Sequence, residues 1–218
     1  MTTTEASQTQ QPRGALLVVE GGDRCGKTSQ CTRLLDALHA RGIDARAVKF
    51  PDRTSETGKL IDLYLKGAKD VDDHAVHLLF SANRWESMKH IRALLEQGTT
   101  LVVDRYAFSG VAYSAAKGLD LEWCKQPDRG LLRPDLVLFL DLDPIAAARR
   151  AGYGEERYER VDMQQRVRSN FMSLADGSWK ILDASRTVDE IAADVSAAAI
   201  AAVEAARSTP LCSDLWCS

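Results

Sequence analysis

Eight consecutive residues, Gly21-Gly22-Asp23-Arg24-Cys25-Gly26-Lys27-Thr28, match the pattern G-x-x-x-x-G-K-[ST]. Its glycines let the backbone curl until several N–H groups point at one anion. Lys27 adds a point charge, Thr28 offers a hydroxyl to a magnesium ion, and a helix starting there adds its positive end. That is the chemistry of gripping a nucleoside triphosphate by its phosphates, with Gly21 to Ser29 as the candidate cradle. Arg24 is a less expected occupant, because the cradle forms without a charge there. A guanidinium at that place suits the charge that builds on a phosphoryl group in flight, a role worth roughly 10³–10⁵ in rate. The alternative is a solvated surface arginine.

Further along, an apolar run ends in Val103-Asp104-Arg105-Tyr106. Open α/β sheets bind ligands at the carboxyl ends of their strands, so Asp104 is the natural partner of the magnesium ion. An Asp closing a strand is also a common turn former. Three arginines stand near such ends or on a neighbouring helix: Arg53 after Phe50-Pro51-Asp52, Arg84, and Arg105. Guanidinium groups fork onto phosphate and stay charged at any working pH. Convergence of the three would suit an acceptor that itself carries a phosphate, which is a nucleophile once ionised and needs no general base. Singly, each arginine also reads as a surface charge.

The elements that must position these groups follow from hydrophobic pattern. Residues 15–20, 45–50, 100–103, 136–140 and 179–182 are short apolar runs that predict five strands. Helical spacing follows Lys27, with Leu34, Leu35 and Leu38 on one face and Gly42 as the stop. One or two helices are expected over 72–97, with Leu78, Leu79, Trp85, Ile91, Leu94 and Leu95 at helical spacing. A last helix opens at Thr187 and Glu190, a capping-box pair. Strands alternating with helices predict an α/β fold, a parallel five-stranded sheet with helices on both faces.

The chain has 218 residues, 28 Lys plus Arg against 31 Asp plus Glu, and 45 % apolar types. That predicts one domain over 13–218, without the basic excess of a nucleic-acid binder. No apolar run approaches the ~20 residues that span a bilayer. Residues 1–12 are polar and lack Lys and Arg, predicting a disordered tail and neither a secretory nor a transit signal. The five cysteines form no CxxC pair, so a disulfide framework and a zinc site are not expected. His74 and His77 lack further ligands and read as surface or packing residues, as do Trp123, Trp179 and Trp216. Together these features predict a cytoplasmic protein, possible in the nucleus too.

The segments EGGDRCGKTSQ (20–30), FPDRTSETGKLI (50–61), HLLFSANRWE (77–86), LVVDRYAFSGVAYSAAKG (101–118), WCKQPDRGLLRPDLVLFLDLD (123–143) and ERYE (156–159) stand in one order that resembles the thymidylate kinase family, its eukaryotic branch above all. The resemblance implies a P-loop kinase fold and the reaction of dTMP with ATP and Mg2+, giving dTDP and ADP on the route to dTTP. It implies that Lys27 and Thr28 hold the ATP phosphates and metal, with Asp104 near the metal, and that Arg24 steadies the transferred group. Asp23 would accept from the 3′-hydroxyl, Arg53 and Arg105 would grip the dTMP phosphate, Phe80 would stack on thymine and Arg84 would read the base edge. Phe50, Gly110, Tyr113 and Tyr158 would border the nucleoside, with Tyr113 against the sugar. Residues 150–159 (RAGYGEERYE) resemble a mobile lid with Gly152 and Gly154 as hinges. Arg150, Ala184 and Ser185 would border adenine, and a homodimer is expected. Departures from the family pattern are Asp52 in place of Glu and Arg160-Val161-Asp162-Met163 after the lid.

Three other classes frame the test. A nucleoside kinase needs a carboxylate to activate a neutral hydroxyl, whereas the acceptor side here is rich in arginine. A GTP-hydrolysing switch needs an [NT]-K-x-D segment, which is absent from the sequence. A catalytically silent binding homologue has no use for Arg24, Lys27 and Asp104 together.

Overall fold

The computed structural model describes residues 12–150, 154 and 156–217. The tail expected over residues 1–12 therefore lies outside the described residues up to 11, as do 151–153 and 155 of the expected lid.

The chain runs β1 (Leu16–Gly21), α1 (Lys27–His39), β2 (Ala45–Lys49), α2 (Glu56–Leu65), α3 (Asp73–Glu96), β3 (Thr100–Asp104), α4 (Ala107–Ala116) and α5 (Leu121–Lys125). A 3₁₀ turn (Gln126–Asp128) leads to β4 (Leu136–Asp141), α6 (Pro144–Ala148), α7 (Val161–Leu174), β5 (Trp179–Asp183) and α8 (Val188–Ala206). The five strands pair in parallel in the order β2-β3-β1-β4-β5. Successive strand side chains face opposite sides, which divides the buried residues into two cores. Leu16, Val18, Leu101, Val103 and Phe139 face the side covered by α3, α4 and α7. Leu17, Val19, Val102, Leu138 and Leu140 face α1 and α8. Burial on both faces is why β1 reads as an unbroken apolar run.

The one or two helices expected over 72–97 form a single helix of 24 residues, Asp73–Glu96, in which Leu78 and Trp85 are 47 % and 42 % exposed. The buried positions of α3 include Val76, His77, Ser81, Arg84, Met88, Ile91 and Leu95, so its inward face mixes apolar residues with polar ones directed toward the site, while Leu78 and Trp85 face outward. The end of the chain behaves as the pattern predicts: Thr187 and Glu190 form the reciprocal capping box that opens α8.

Parallel strands deliver all their carboxyl ends to one edge. There β1 runs into the glycine-rich loop, and Val19 is in register with Asp104 on the neighbouring β3. The Phe50 N–H bonds the Asp104 carbonyl at 3.0 Å, carrying the β2–β3 pairing up to the turn that holds Arg53. That turn lies flat on α2, because a Cβ on Gly58 would come within 1.7 Å of the Asp52 carbonyl oxygen.

Candidate active site

Two adjoining cavities open at this edge. The first is bordered by Arg24, Lys27, Thr28, Ser29, Lys49 and Asp104, with Gly26, Arg53, Arg105, Arg150, Glu156 and Glu159 completing its wall. Among the described residues, six cationic side chains face three carboxylates there, the electrostatic setting of a polyanion site. Helix α1 starts at Lys27 with no side-chain cap on its first turn, and Gly26 sits at φ 101°, a conformation that favours glycine. The Lys27 ammonium donates to the Gly22 carbonyl at 2.5 Å. The Thr28 hydroxyl donates to Asp104 Oδ2 at 2.7 Å, while Asp104 Oδ1 is buried with no partner.

The second cavity runs deeper, between α3 and α4. Asp23, Phe80, Arg84, Gly110, Tyr113 and Tyr158 border it, and Phe50, Pro51, Arg53, Arg105 and Glu156 form the wall it shares with the first. Arg24, Arg53, Arg84 and Arg105 are each held by a carboxylate. Arg53 bonds Asp62 at 2.8 Å and Glu156 at 2.7 Å, and Arg24 bonds Glu159 at 2.8 Å. Arg105 reaches Asp23 directly, with Ser109 Oγ at 3.2 Å. Arg84 forks onto Asp128 through Nε and one terminal nitrogen, and both side chains are almost wholly buried. The guanidinium of Arg84 lies across Gly110, where an added Cβ would stand 2.8 Å from it.

Backbone strain concentrates on two of these groups. Arg24 (φ 58°) and Arg105 (φ 71°) occupy the left-handed region, which costs an L-residue roughly 1–2 kcal/mol and recurs where function dictates side-chain direction. Charge is tuned as well. Burial works to raise the Asp23 pKa, but Arg105 and Lys27 outweigh it and hold the carboxyl below its ordinary value. Burial pushes the Tyr113 and Tyr158 phenols up, so both stay protonated.

Other sequence-derived positions fall differently. Gly21, Gly22 and Cys25 do not border the first cavity; the Cys25 thiol packs beneath the loop, 3.6 Å from the Lys27 nitrogen. Arg150 donates to the carbonyls of Arg24 (2.6 Å) and Ala184 (3.2 Å), while Ala184 itself is buried in the core and borders neither cavity. The Ser185 hydroxyl instead turns back onto Asp183 at 2.6 Å. Asp52 accepts from the Thr54 N–H and hydroxyl, shaping the turn that presents Arg53. His77 is buried between Ser114 Oγ and the Cys124 carbonyl and packs at a tilt against Trp123, a packing role.

Several partners escape sequence reading. Asp62, Asp128, Glu156 and Glu159 hold Arg53, Arg84 and Arg24, and Gln164 on α7 bonds the Asp23 N–H (2.9 Å), its carboxylate (2.7 Å) and the Tyr158 carbonyl (2.9 Å). Met163, Val167 and Phe171, spaced by four, are the signal that would have placed Gln164 on an amphipathic helix.

The sequence model of a family described as thymidylate kinase matches residues 19–195. The thymidylate kinase of Arabidopsis thaliana is 50 % identical over 95 % of this chain and 79 % of its own. That of Homo sapiens is 49 % identical over 94 % of this chain and 98 % of its own. The solved thymidylate kinase of Candida albicans aligns with a TM-score of 0.83 at 35 % identity, covering 93 % of this chain and 98 % of that one. With half the residues shared along nearly the whole length, and the loop, sheet order and twin cavities in place, this α/β P-loop kinase fold belongs to the thymidylate kinase family.

Proposed function

We propose that this kinase moves the γ-phosphate of ATP to dTMP in the presence of Mg2+, giving dTDP and ADP. The observation that carries the reading is the shared wall: Arg53 and Arg105 border both cavities, so two phosphates meeting there face the same guanidiniums. Lys27 and the loop N–H groups hold the donor, with Arg150 and the Ala184–Ser185 turn beside its base. Arg53 and Arg105 clamp the acceptor phosphate, and Asp23 accepts from its 3′-hydroxyl. Phe80 stacks on the base, Arg84 reads its edge, and Tyr113 and Tyr158 close over the sugar.

The donor set suits a hard, small cation: a carboxylate oxygen that is buried and unpartnered beside a hydroxyl. Few protein oxygens are needed, because Mg2+ keeps waters and phosphate oxygens as ligands. Thr28 and Asp104 would hold it, and the ion supplies charge neutralisation between the phosphates. Binding the acceptor requires carboxylates to let go of arginine. The Arg53 pairs are part-exposed, about a third on the arginine, and such pairs contribute about 0–1 kcal/mol, so a phosphate displaces Glu156 readily. The buried Arg84–Asp128 pair stays and fixes the direction of the remaining donor edge.

The catalytic unit is 13–218 as one domain, with 150–159 as its lid, in which Arg157 lies over the Tyr64 ring at 4.3 Å. Leu63 on α2, with Leu78 and Trp85 two turns apart on α3, exposes an apolar face suited to a second copy of the chain; light scattering of Trp85→Glu against the parent tests the homodimer. Free cysteines at 25, 31, 124, 212 and 217 fit a reducing compartment, the cytoplasm or nucleus. The activity is tested by ADP release over dTMP, dUMP, AMP and thymidine, with and without Mg2+. Fastest turnover of dTMP is expected, and faster turnover of thymidine overturns the reading.

A further inference from the structure

Glu20 is the penultimate residue of β1, is fully shielded from solvent and borders neither cavity. Its carboxylate crosses to the start of α4. Oε1 accepts the N–H groups of Tyr106 (2.8 Å) and Ser109 (3.0 Å), and Oε2 accepts the Ser109 hydroxyl (2.5 Å). Helix α4 has no cap from its own flanking residue Tyr106, so an acid from a different strand performs the capping that Ser or Asp performs locally elsewhere. What lies on either side of this link gives it consequence. One residue after Glu20 the phosphate loop begins. One residue before Tyr106 stands Arg105, held left-handed, and α4 carries Gly110 and Tyr113 on the wall of the nucleoside cavity.

We infer that Glu20 is a positioning residue that pins the acceptor clamp to the donor loop, setting the separation between the two reacting phosphates; this rests on the proposed function. Other links join the regions, the Arg105 N–H to the Val19 carbonyl (3.0 Å) and the Thr28 hydroxyl to Asp104 (2.7 Å) among them, and the Arg105–Asp23 bridge is made of side chains that substrate meets. The Glu20 bridge starts from a buried carboxylate that borders neither cavity and ends on the Tyr106 and Ser109 N–H groups and the Ser109 hydroxyl, so its anchoring end lies out of substrate's reach. Its working quantity is reach, not charge. Burial raises the Glu20 pKa despite Ser109 and Arg105, and a glutamine of the same length keeps all three links: its amide oxygen accepts the two N–H groups and its NH2 donates to a rotated Ser109 hydroxyl.

Two substitutions separate reach from charge. Glu20→Gln keeps the length and drops the charge; Glu20→Asp keeps the charge and withdraws the carboxylate by about 1.5 Å, one carbon–carbon bond. Misplacement of reacting groups by ~1 Å costs on the order of 10²-fold in rate. The expected result is a 10- to 100-fold fall in kcat for Glu20→Asp with KM for ATP and dTMP within threefold, and Glu20→Gln within threefold of the parent throughout. Hydrogen exchange at the Tyr106 and Ser109 amides accelerates in Glu20→Asp alone. That readout is independent of substrate, so a parent that ignores dTMP sinks the proposed function while exchange still judges the pin. An unchanged kcat in Glu20→Asp, a KM rise that matches the kcat loss, or equal damage in both variants overturns the inference. Should Glu20→Asp not fold, Ser109→Ala takes its place, with kcat down about threefold to tenfold at steady KM; an unaltered kcat there overturns it equally.

Discussion

The donor cavity and the acceptor cavity share a wall, yet they are built by opposite means. The donor side is centred on a stretch of eight residues that supplies glycine torsions, an uncapped helix start and one lysine, with Lys49, Asp104 and Arg150 added around it. The acceptor side draws Arg53 from the end of β2, Arg84 from α3, Arg105 from the end of β3 and Tyr158 from the region before α7. Each of those arginines is aimed by an acid from elsewhere in the chain. A contiguous anion cradle is fixed by covalent order, whereas a dispersed clamp is fixed by ion pairs. Damage to the first should therefore appear in turnover, and damage to the second in recognition of the acceptor.

The strongest challenge to that division is Arg24→Ala. Its guanidinium borders the donor cavity from a left-handed backbone position, paired with Glu159. If it acts on the phosphoryl group in transit, kcat falls about 10³-fold or more while ATP affinity, read by calorimetry, stays within threefold. Equal losses in both would make Arg24 an ordinary binding residue and blur the two regions.

Next in size is Arg53→Ala, which removes a charge-assisted contact worth ~1.5–3 kcal/mol. We expect kcat/KM for dTMP to drop about 10- to 100-fold with the ATP KM unmoved; a parallel rise in the ATP KM would show that the shared wall serves the donor as much as the acceptor. Smaller still is Gly110→Ala. The new Cβ would stand 2.8 Å from the Arg84 guanidinium, which Asp128 prevents from yielding. Overpacking of this kind costs roughly 1–3 kcal/mol, so the dTMP KM rises about tenfold and kcat little. An unaffected KM would mean that Arg84 does not meet the base.

The same contrast explains what the sequence could disclose. The glycine-rich loop and the five apolar strands are local signals, and all appear in the structure within about a residue of expectation. Asp104 was legible because parallel strands bring their ends to one edge. The acids that aim the arginines were not: Asp62, Asp128 and Glu156 lie on an exposed helix face, in a turn and in the lid, where a carboxylate is unremarkable until tertiary packing sets it beside a guanidinium. Helix α3 misled for a related reason. Its polar residues Ser81 and Arg84 point inward to serve the site, so the apolar stripe that marks a core-facing helix is interrupted.

Asp23 is where the two regions meet, a loop residue bonded to the acceptor arginine Arg105 and to Gln164. Its smaller effect tests the division most directly, through acid stability. The folded-state pKa is depressed below the ordinary 3.8, so the unfolded chain takes up a proton here before the folded one does. The ionised form therefore contributes stability that is complete above the unfolded value and drains away as pH falls through the folded one. Asp23→Asn removes that contribution at every pH. Thermal melts should show the variant below the parent at pH 7, by about 2–10 °C for a loss of ~1–3 kcal/mol, with the gap narrowing as pH is lowered past 3.8. Melting curves that keep a constant separation down to acid pH would mean that Arg105 does not depend on the Asp23 charge, and that the loop and the clamp are joined by backbone pinning alone.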